Sequence, residues 1–237
     1  MTTRMPMTMP TGHETYDEAY FTAQRAKSDA KVGWEYDRLL ALGSLTLTPA
    51  SLVLDAACGA APGLRAFARL GIRAIGADIA PAALVAAHDL LPDAPLVRAD
   101  LDASFPFATN TFALIVLREA IEHVRDGEAT LRECLRTLAP GGCVALTTPN
   151  RWDLRRPLYR VRGKLWSGEA DSSHTHIYSP REMRALLLAL GFARVRVRTG
   201  FKPLMRLGGR RLPVRLTLPY PPLIGNGVVA FAWKGDR

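Results

Sequence analysis

Between residues 51 and 148 five short apolar runs recur, most of them separated by segments of helical spacing, and few folds accept that order. The runs are 51–56 (SLVLDA), 72–78 (IRAIGAD), 94–99, 112–117 (FALIVL) and 143–148 (CVALTT). Residues 63–70, 81–91 and 126–138 have helical spacing, the last with Leu131, Cys134, Leu135 and Leu138 on one stripe. Pro81 stands in the first turn of its helix, and Pro140-Gly141-Gly142 is expected to end the third before a strand from Cys143. Runs that are apolar on both faces, joined by crossover helices, read as a parallel sheet covered on both sides. After a Ser179 cap comes a further helix. ARVRVRT at 193–199 then alternates strictly, as a half-exposed antiparallel strand does, and VVAFAW at 228–233 is a last strand.

The 237 residues therefore read as a single domain: an N-terminal helical arm (1–48, helical from about Tyr16), a core (49–150) and a basic cap with the C-terminal strands (151–237). The chain is 48% hydrophobic and 22% charged, the balance of a soluble globular protein. No run of 18 apolar residues occurs, so no transmembrane helix is expected. MTTRMPMTMP has no apolar h-region and does not read as a secretory signal. Cys58, Cys134 and Cys143 form no C-x-x-C pair, which speaks against a disulfide framework and for a cytoplasmic location.

Chemistry concentrates at the ends of the runs. The first passes into Asp55-Ala56-Ala57-Cys58-Gly59-Ala60-Ala61-Pro62-Gly63 and then a helix. Tiny residues at such a turn let a ligand approach the backbone and the amides of a helix N-terminus. This is not the G-x-G-x-x-G of a dinucleotide fold, and Asp55 would repel a pyrophosphate but could bind a cationic group. The second run ends in Asp78, placed as a ribose-hydroxyl acceptor usually is. Asp100 follows the third, within reach of an adenine amino group.

VLDAACGAAPG, IGADIAPAAL, ADLDASFPFATNTFALIVL and LAPGGCVALTTPN resemble, in order and spacing, the four core motifs of class I S-adenosylmethionine-dependent methyltransferases. The resemblance covers roughly residues 50–150. It implies a Rossmann-like, seven-stranded, mostly parallel sheet with an antiparallel last strand, helices on both faces, bound S-adenosylmethionine and methyl transfer. It also implies that Asp55, Ala57 and Gly59 lie against the methionine part. Asp78 and Ile79 would meet the ribose, Asp100 and Leu101 would surround the adenine, and Leu117 and Arg118 would border the methyl donor. Tyr20, in the arm, is a further cofactor contact on this view. Departures from the family pattern are Ala57 and Ala61, where it prefers glycine, and Ala113, where it has aspartate.

Methyl transfer from a sulfonium is an in-line displacement: the acceptor must be aligned, and an oxygen acceptor must also lose a proton. Glu119-Ala120-Ile121-Glu122-His123 is the first candidate. On a helix, Glu119, Glu122 and His123 would share a face and could hold a divalent ion. The E-x-x-E-H spacing is similar to the metal-binding segment of ubiquinone-biosynthesis O-methyltransferases and of small-RNA 2′-O-methyltransferases. The rival reading is a metal-free helix start. His174 and His176 follow in a loop at the ligand end of the sheet, where H-x-H can place both imidazoles on one side, and either could be a base. His123, His174 and His176 are accordingly the catalytic candidates, with no metal as the favoured state.

The net charge of +9 is uneven. Residues 1–150 carry 13 basic and 17 acidic groups, residues 151–237 carry 18 and 5. Arg151, Arg155, Arg156, Arg160, Arg162 and Lys164 are interleaved with Trp152, Tyr159 and Trp166. An anionic partner and an arginine-rich genome explain this equally well. The proline-rich apolar stretch near 212–224 could be a lid for a lipophilic substrate. The expected function is methyl transfer to a small or medium-sized acceptor, anionic or lipophilic, with oxygen as the expected accepting atom. Metal-dependent RNA 2′-O-methylation and a non-catalytic cofactor-binding module are the alternatives.

Overall fold

The computed structural model describes residues 29–200 and 225–236, with Arg206–Leu207, Arg210–Arg211 and Thr217–Pro219 between them. Chain order is α1 (Asp29–Gly43), β1 (Leu52–Ala56), α2 (Pro62–Arg69), β2 (Arg73–Asp78), α3 (Pro81–Leu90), β3 (Leu96–Arg98), β4 (Phe112–Arg118), α4 (Gly127–Thr137) and β5 (Leu138–Pro149). A cap follows, with the short helices α5 (Arg155–Val161) and α6 (Ser167–Ala170), then α7 (Pro180–Ala189) and β6 (Arg194–Gly200). The small strands β7 (Arg206–Leu207), β8 (Arg210–Arg211) and β9 (Thr217–Pro219) precede β10 (Gly227–Trp233).

One sheet runs β3-β2-β1-β4-β5-β10-β6-β9. The first five strands are parallel, and β10 is antiparallel to both β5 and β6. The seven expected strands are all present, and β9 adds a short antiparallel edge beside β6. Strand order reverses between β1 and β4, the switch point at which such sheets bind ligands beyond their carboxyl ends.

Side-chain alternation sorts the core into two layers. Leu54, Ala56, Ile115, Leu117, Val144 and Leu146 face α4 and α7, packing with Leu131, Cys134, Met183 and Leu187. Val53, Leu114, Val116, Cys143 and Ala145 face the other way, toward α1 and α2, and pack with Tyr36, Leu39 and Phe67. Burying a leucine or phenylalanine here contributes about 1.5–3 kcal/mol. Two helix starts are capped: Asp126 accepts from the Ala129 amide at 3.0 Å, and Ser179 forms a capping box with Glu182. All three cysteines are free and buried.

Pro140-Gly141-Gly142 does not lie outside the strand. β5 begins at Leu138, and the tripeptide is a bulge: Phe112 pairs with Leu138, Leu114 with Cys143. A Cβ at position 142 would stand 2.8 Å from two backbone carbonyls, so only glycine fits there.

Candidate active site

Asp55, the penultimate residue of β1, is 1% exposed. The Tyr36 hydroxyl, from α1, donates to both its oxygens at 3.3 Å. Burial pushes its carboxyl up to about 7, against the opposing pull of Arg118 and Tyr36. Arg118 ends β4, stands 5.7 Å from the centre of the Tyr36 ring and pairs with Glu35 of α1 at 3.4 Å. A Cβ at Gly63 would fall 2.1 Å from the Asp55 carboxylate and 2.5 Å from the Tyr36 hydroxyl, so the small residue there makes room for both. The arrangement is a buried acid that lacks a full counter-charge, which suits a cationic ligand.

The turn that follows is tightly wound. Ala57, Gly59 and Ala61 have φ of 62°, 54° and 59°. Alanine in this left-handed region costs roughly 1 kcal/mol relative to glycine, so the two departures from glycine leave the turn's shape intact and strain it. Asp78, at the end of β2, holds it in place: one carboxylate oxygen accepts from the Gly59 amide and the other from the Ala80 amide, each at 2.9 Å. Burial raises its carboxyl from the ordinary value while those amides oppose the rise. Each oxygen keeps a lone pair for a hydroxyl donor. Asp100 accepts from the Asp102 amide at 2.9 Å, and Asp102 in turn accepts from the amides of Arg125 and Asp126. Leu101 is half-buried, and its carbonyl accepts from Thr130 at 2.9 Å. Ile79 is half-buried beside Asp78. Leu117 is wholly enclosed in the core, so of the pair expected beside the methyl donor only Arg118 is accessible. Tyr20 lies outside the described residues.

Beyond β4 the chain does not start a helix, the condition on which Glu119, Glu122 and His123 would have shared one face. Glu119 takes φ of 51°, and residues 121–123 form a turn. The i, i+3, i+4 face therefore does not exist, and Glu119 is exposed and apart from the cluster that does form. That cluster joins Glu122, His123 and His174, each offering a ligand-type atom within 4.8 Å of the others. What brings His174 there is backbone: the Glu122 carbonyl accepts from the Thr175 amide at 2.8 Å and the His176 amide at 3.3 Å, stitching the 171–179 loop onto the turn.

Inside the cluster the imidazoles of His123 and His174 meet edge to face, 4.7 Å between centres. His123 Nδ1 lies 2.9 Å from the Ser173 hydroxyl. His174 Nδ1 lies 2.8 Å from the Gly168 carbonyl. That carbonyl can only accept, so Nδ1 carries the proton and Nε2 is the basic atom. Burial, then the neighbouring His174, holds the His123 pKa below its ordinary value, so this ring is neutral at pH 7. Glu122 is 1% exposed, and its Oε2 has no hydrogen-bond partner. Burial, then Glu119, pushes its carboxyl well above the carboxylate range. Thr148 lies close enough to oppose the rise without forming a hydrogen bond of proper geometry.

His176 goes elsewhere. Its Nε2 is 2.6 Å from Glu182 and 3.2 Å from Arg151, and its ring leans on Tyr178. The two imidazoles of H-x-H thus serve different partners instead of one side, and only His174 joins His123. Tyr36 and Glu35 are contributions that residue spacing did not reveal. The arm's aromatics were visible, but nothing local ties residue 36 to residue 55.

A model of the methyltransferase domain family matches residues 29–197. The chain belongs to this family, whose cofactor is S-adenosylmethionine. A ubiquinone biosynthesis O-methyltransferase of Xanthomonas campestris is 36% identical over 110 residues, 44% of this chain and 45% of that protein. A demethylmenaquinone methyltransferase of Parafrankia is 29% identical over 136 residues, 49% and 52%. The chain thus spans about half the length of the curated relatives it matches. Among solved structures, a SAM-dependent methyltransferase from Archaeoglobus fulgidus superposes with a TM-score of 0.65 at 16% identity, covering 92% of this chain and all of that one, a likeness of fold.

Proposed function

We propose that the chain transfers the methyl group of S-adenosylmethionine to an oxygen of a small or medium-sized acceptor. The observation that carries this reading is the edge-to-face pair of imidazoles, His123 and His174, 4.7 Å between centres, beside the buried Glu122 beyond the carboxyl end of β4. A bond forms between acceptor oxygen and methyl carbon, the carbon–sulfur bond breaks, and the hydroxyl proton passes to an imidazole nitrogen. On the cofactor side, the donor set fits the family's cofactor: Asp55 would take the ammonium or sulfonium charge and Asp78 the ribose hydroxyls, with Asp100 and Leu101 toward the adenine. The relative named for O-methylation favours oxygen as the accepting atom.

A second reading has a specific observation behind it. The unpartnered buried Oε2 of Glu122, with two imidazoles within 4.8 Å, is a donor set that fits a divalent ion. Glu122, His123 and His174 would hold it, without Glu119, and it would supply Lewis-acid activation of the acceptor hydroxyl. RNA as acceptor is less favoured, because Arg155 and Arg156 are already paired with Asp153 and Glu169.

The test is to incubate the purified chain with labelled S-adenosylmethionine and metabolite, lipid and RNA fractions, with and without chelator. Label in the metabolite or lipid fraction, unaffected by chelator, is expected. Loss on chelation would transfer the role to an ion, and label in RNA would replace the acceptor class. Cofactor binding by calorimetry with no label in any fraction would make the chain a non-catalytic module.

A further inference from the structure

Five of the nine exposed large hydrophobic residues among the described residues fall between positions 152 and 165: Trp152, Leu154, Leu158, Val161 and Leu165. The extremes are Val161 at 86% exposed and Leu165 at 68%. They are not scattered. Leu154, the N-cap of α5, and Leu158 and Val161 on the helix recur at i, i+4 and i+7 as one stripe, and α5 buries no residue at all. A helix that points an apolar stripe into water and contributes nothing to the core owes its place to other contacts. Here they are polar and lie beside it: Asp153 accepts from Trp166 at 2.7 Å and pairs with Arg155, while Arg156 pairs with Glu169. The cap is therefore a small platform, anchored by the buried Trp166, that displays its apolar side outward.

The charge around the stripe selects an occupant. From Leu154 to Gly168 the chain has five basic residues and no acidic one. Two of the five are consumed by the internal pairs. Arg160, Arg162 and Lys164 are exposed; Arg160 has a long-range pairing to Glu169 at 3.5 Å, with its side chain still 68% exposed. An apolar stripe with a tryptophan at one end and cations along its edge is the pattern of a helix that lies in a lipid headgroup layer. Long basic side chains extend to phosphates while their stems cover apolar surface. A protein partner with an acidic apolar groove has a similar chemistry, but three aliphatic side chains of one short helix present a thin convex ridge, which enters a fluid interface more readily than it fills a rigid groove.

The geometry points to this ridge as a docking surface for an anionic lipid bilayer. Its place matters. The cap leaves the end of β5, and its Gly168 carbonyl holds the His174 ring at 2.8 Å, so a bilayer seated on the ridge lies next to the acceptor side of the site. The inference goes beyond the proposed transfer to oxygen and does not depend on it. If both hold, the acceptor is drawn from the membrane.

The experiment is co-sedimentation of the full chain with vesicles of equal phosphatidylglycerol and phosphatidylcholine, and with vesicles of phosphatidylcholine alone. Binding at least tenfold tighter to the anionic vesicles is expected, weakening with salt. Leu158→Asp and Val161→Asp should each weaken it at least tenfold and leave S-adenosylmethionine affinity unchanged, which reports an intact fold. With the unaltered chain, a brominated lipid should quench fluorescence that is lost in Trp152→Phe, so the proposal stands or falls even where an aspartate variant misfolds. Absence of vesicle binding overturns it. So does binding that neither aspartate variant diminishes, which would place the contact elsewhere, or a concentration-dependent dimer that both variants abolish, which would make the ridge a contact between copies. Methyl transfer can fail in every fraction while vesicle binding succeeds, so the two ideas fail separately.

Discussion

The two sides of the switch point are built by opposite means. At the strand ends the groups Asp55, Asp78 and Asp100 are acidic, and backbone amides hold the latter two: Asp78 alone laces the turn after β1 to the start of α3. Beyond β4 the groups are imidazoles and one buried carboxyl, and they come from segments 51 residues apart, stitched by bonds to the Glu122 carbonyl. The acidic side is a property of strand ends. The imidazole side is assembled by a loop laid across a turn, so it can vary in chemistry while the fold stays as it is.

The largest effect expected is on the cofactor side. Asp78→Ala removes an acceptor for both amides and for the ribose, and should weaken S-adenosylmethionine binding at least 100-fold by calorimetry, since hydrogen bonds to a charged group contribute about 1.5–3 kcal/mol each. Unchanged affinity would break the comparison. On the other side, His123→Ala should lower kcat at least 100-fold with cofactor affinity intact. His176→Ala, pulled away to Glu182 and Arg151, should leave kcat within about twofold and cost about 0.5 kcal/mol of stability, the scale of a half-exposed pair. Equal losses of kcat would show that the division between the two histidines is wrong.

A pH series sharpens the role of Asp55. Its carboxyl is raised in the folded chain from 3.8 to about 7, so the folded state holds the proton more tightly than the unfolded one. The resulting stability is full below about pH 4 and is lost as pH rises toward 7. Affinity for a cationic ligand runs the other way, rising with pH through 7 as the carboxylate forms. Asp55→Asn should flatten both curves and weaken binding roughly tenfold at pH 8. The smallest effect is Ala57→Gly, which relieves a positive φ and should raise stability by up to about 1 kcal/mol in urea unfolding. A loss of stability would mean the methyl group's packing outweighs the strain.

Strand ends and helices were legible because their signals are local. Alternation, apolar runs, proline at a helix start and serine or aspartate at a cap act over a few residues, and every one of the seven expected strands follows from them. The Pro140-Gly141-Gly142 bulge was misplaced because the same residues end a helix or kink a strand, and only pairing with Phe112 and Leu114 decides. The shared face of Glu119, Glu122 and His123, conditional on a helix there, does not form for a related reason: Glu119 adopts a left-handed φ that helical spacing does not register.

What the amino-acid order determined by itself is the parallel sheet, its acidic strand ends and the family they mark, since periodicity and turn chemistry are short-range physics. Tertiary structure alone decided that Tyr36 and Arg118 meet Asp55, and that His174 joins His123 while His176 leaves for Glu182. It also turned the cap's leucines outward. Apart from His176 and Glu182, whose separation is six residues, the contacts join segments 19 to 83 residues apart. Such pairings are set by how elements pack against the sheet, because the energy that selects them is buried area and satisfied hydrogen bonds summed over the whole fold.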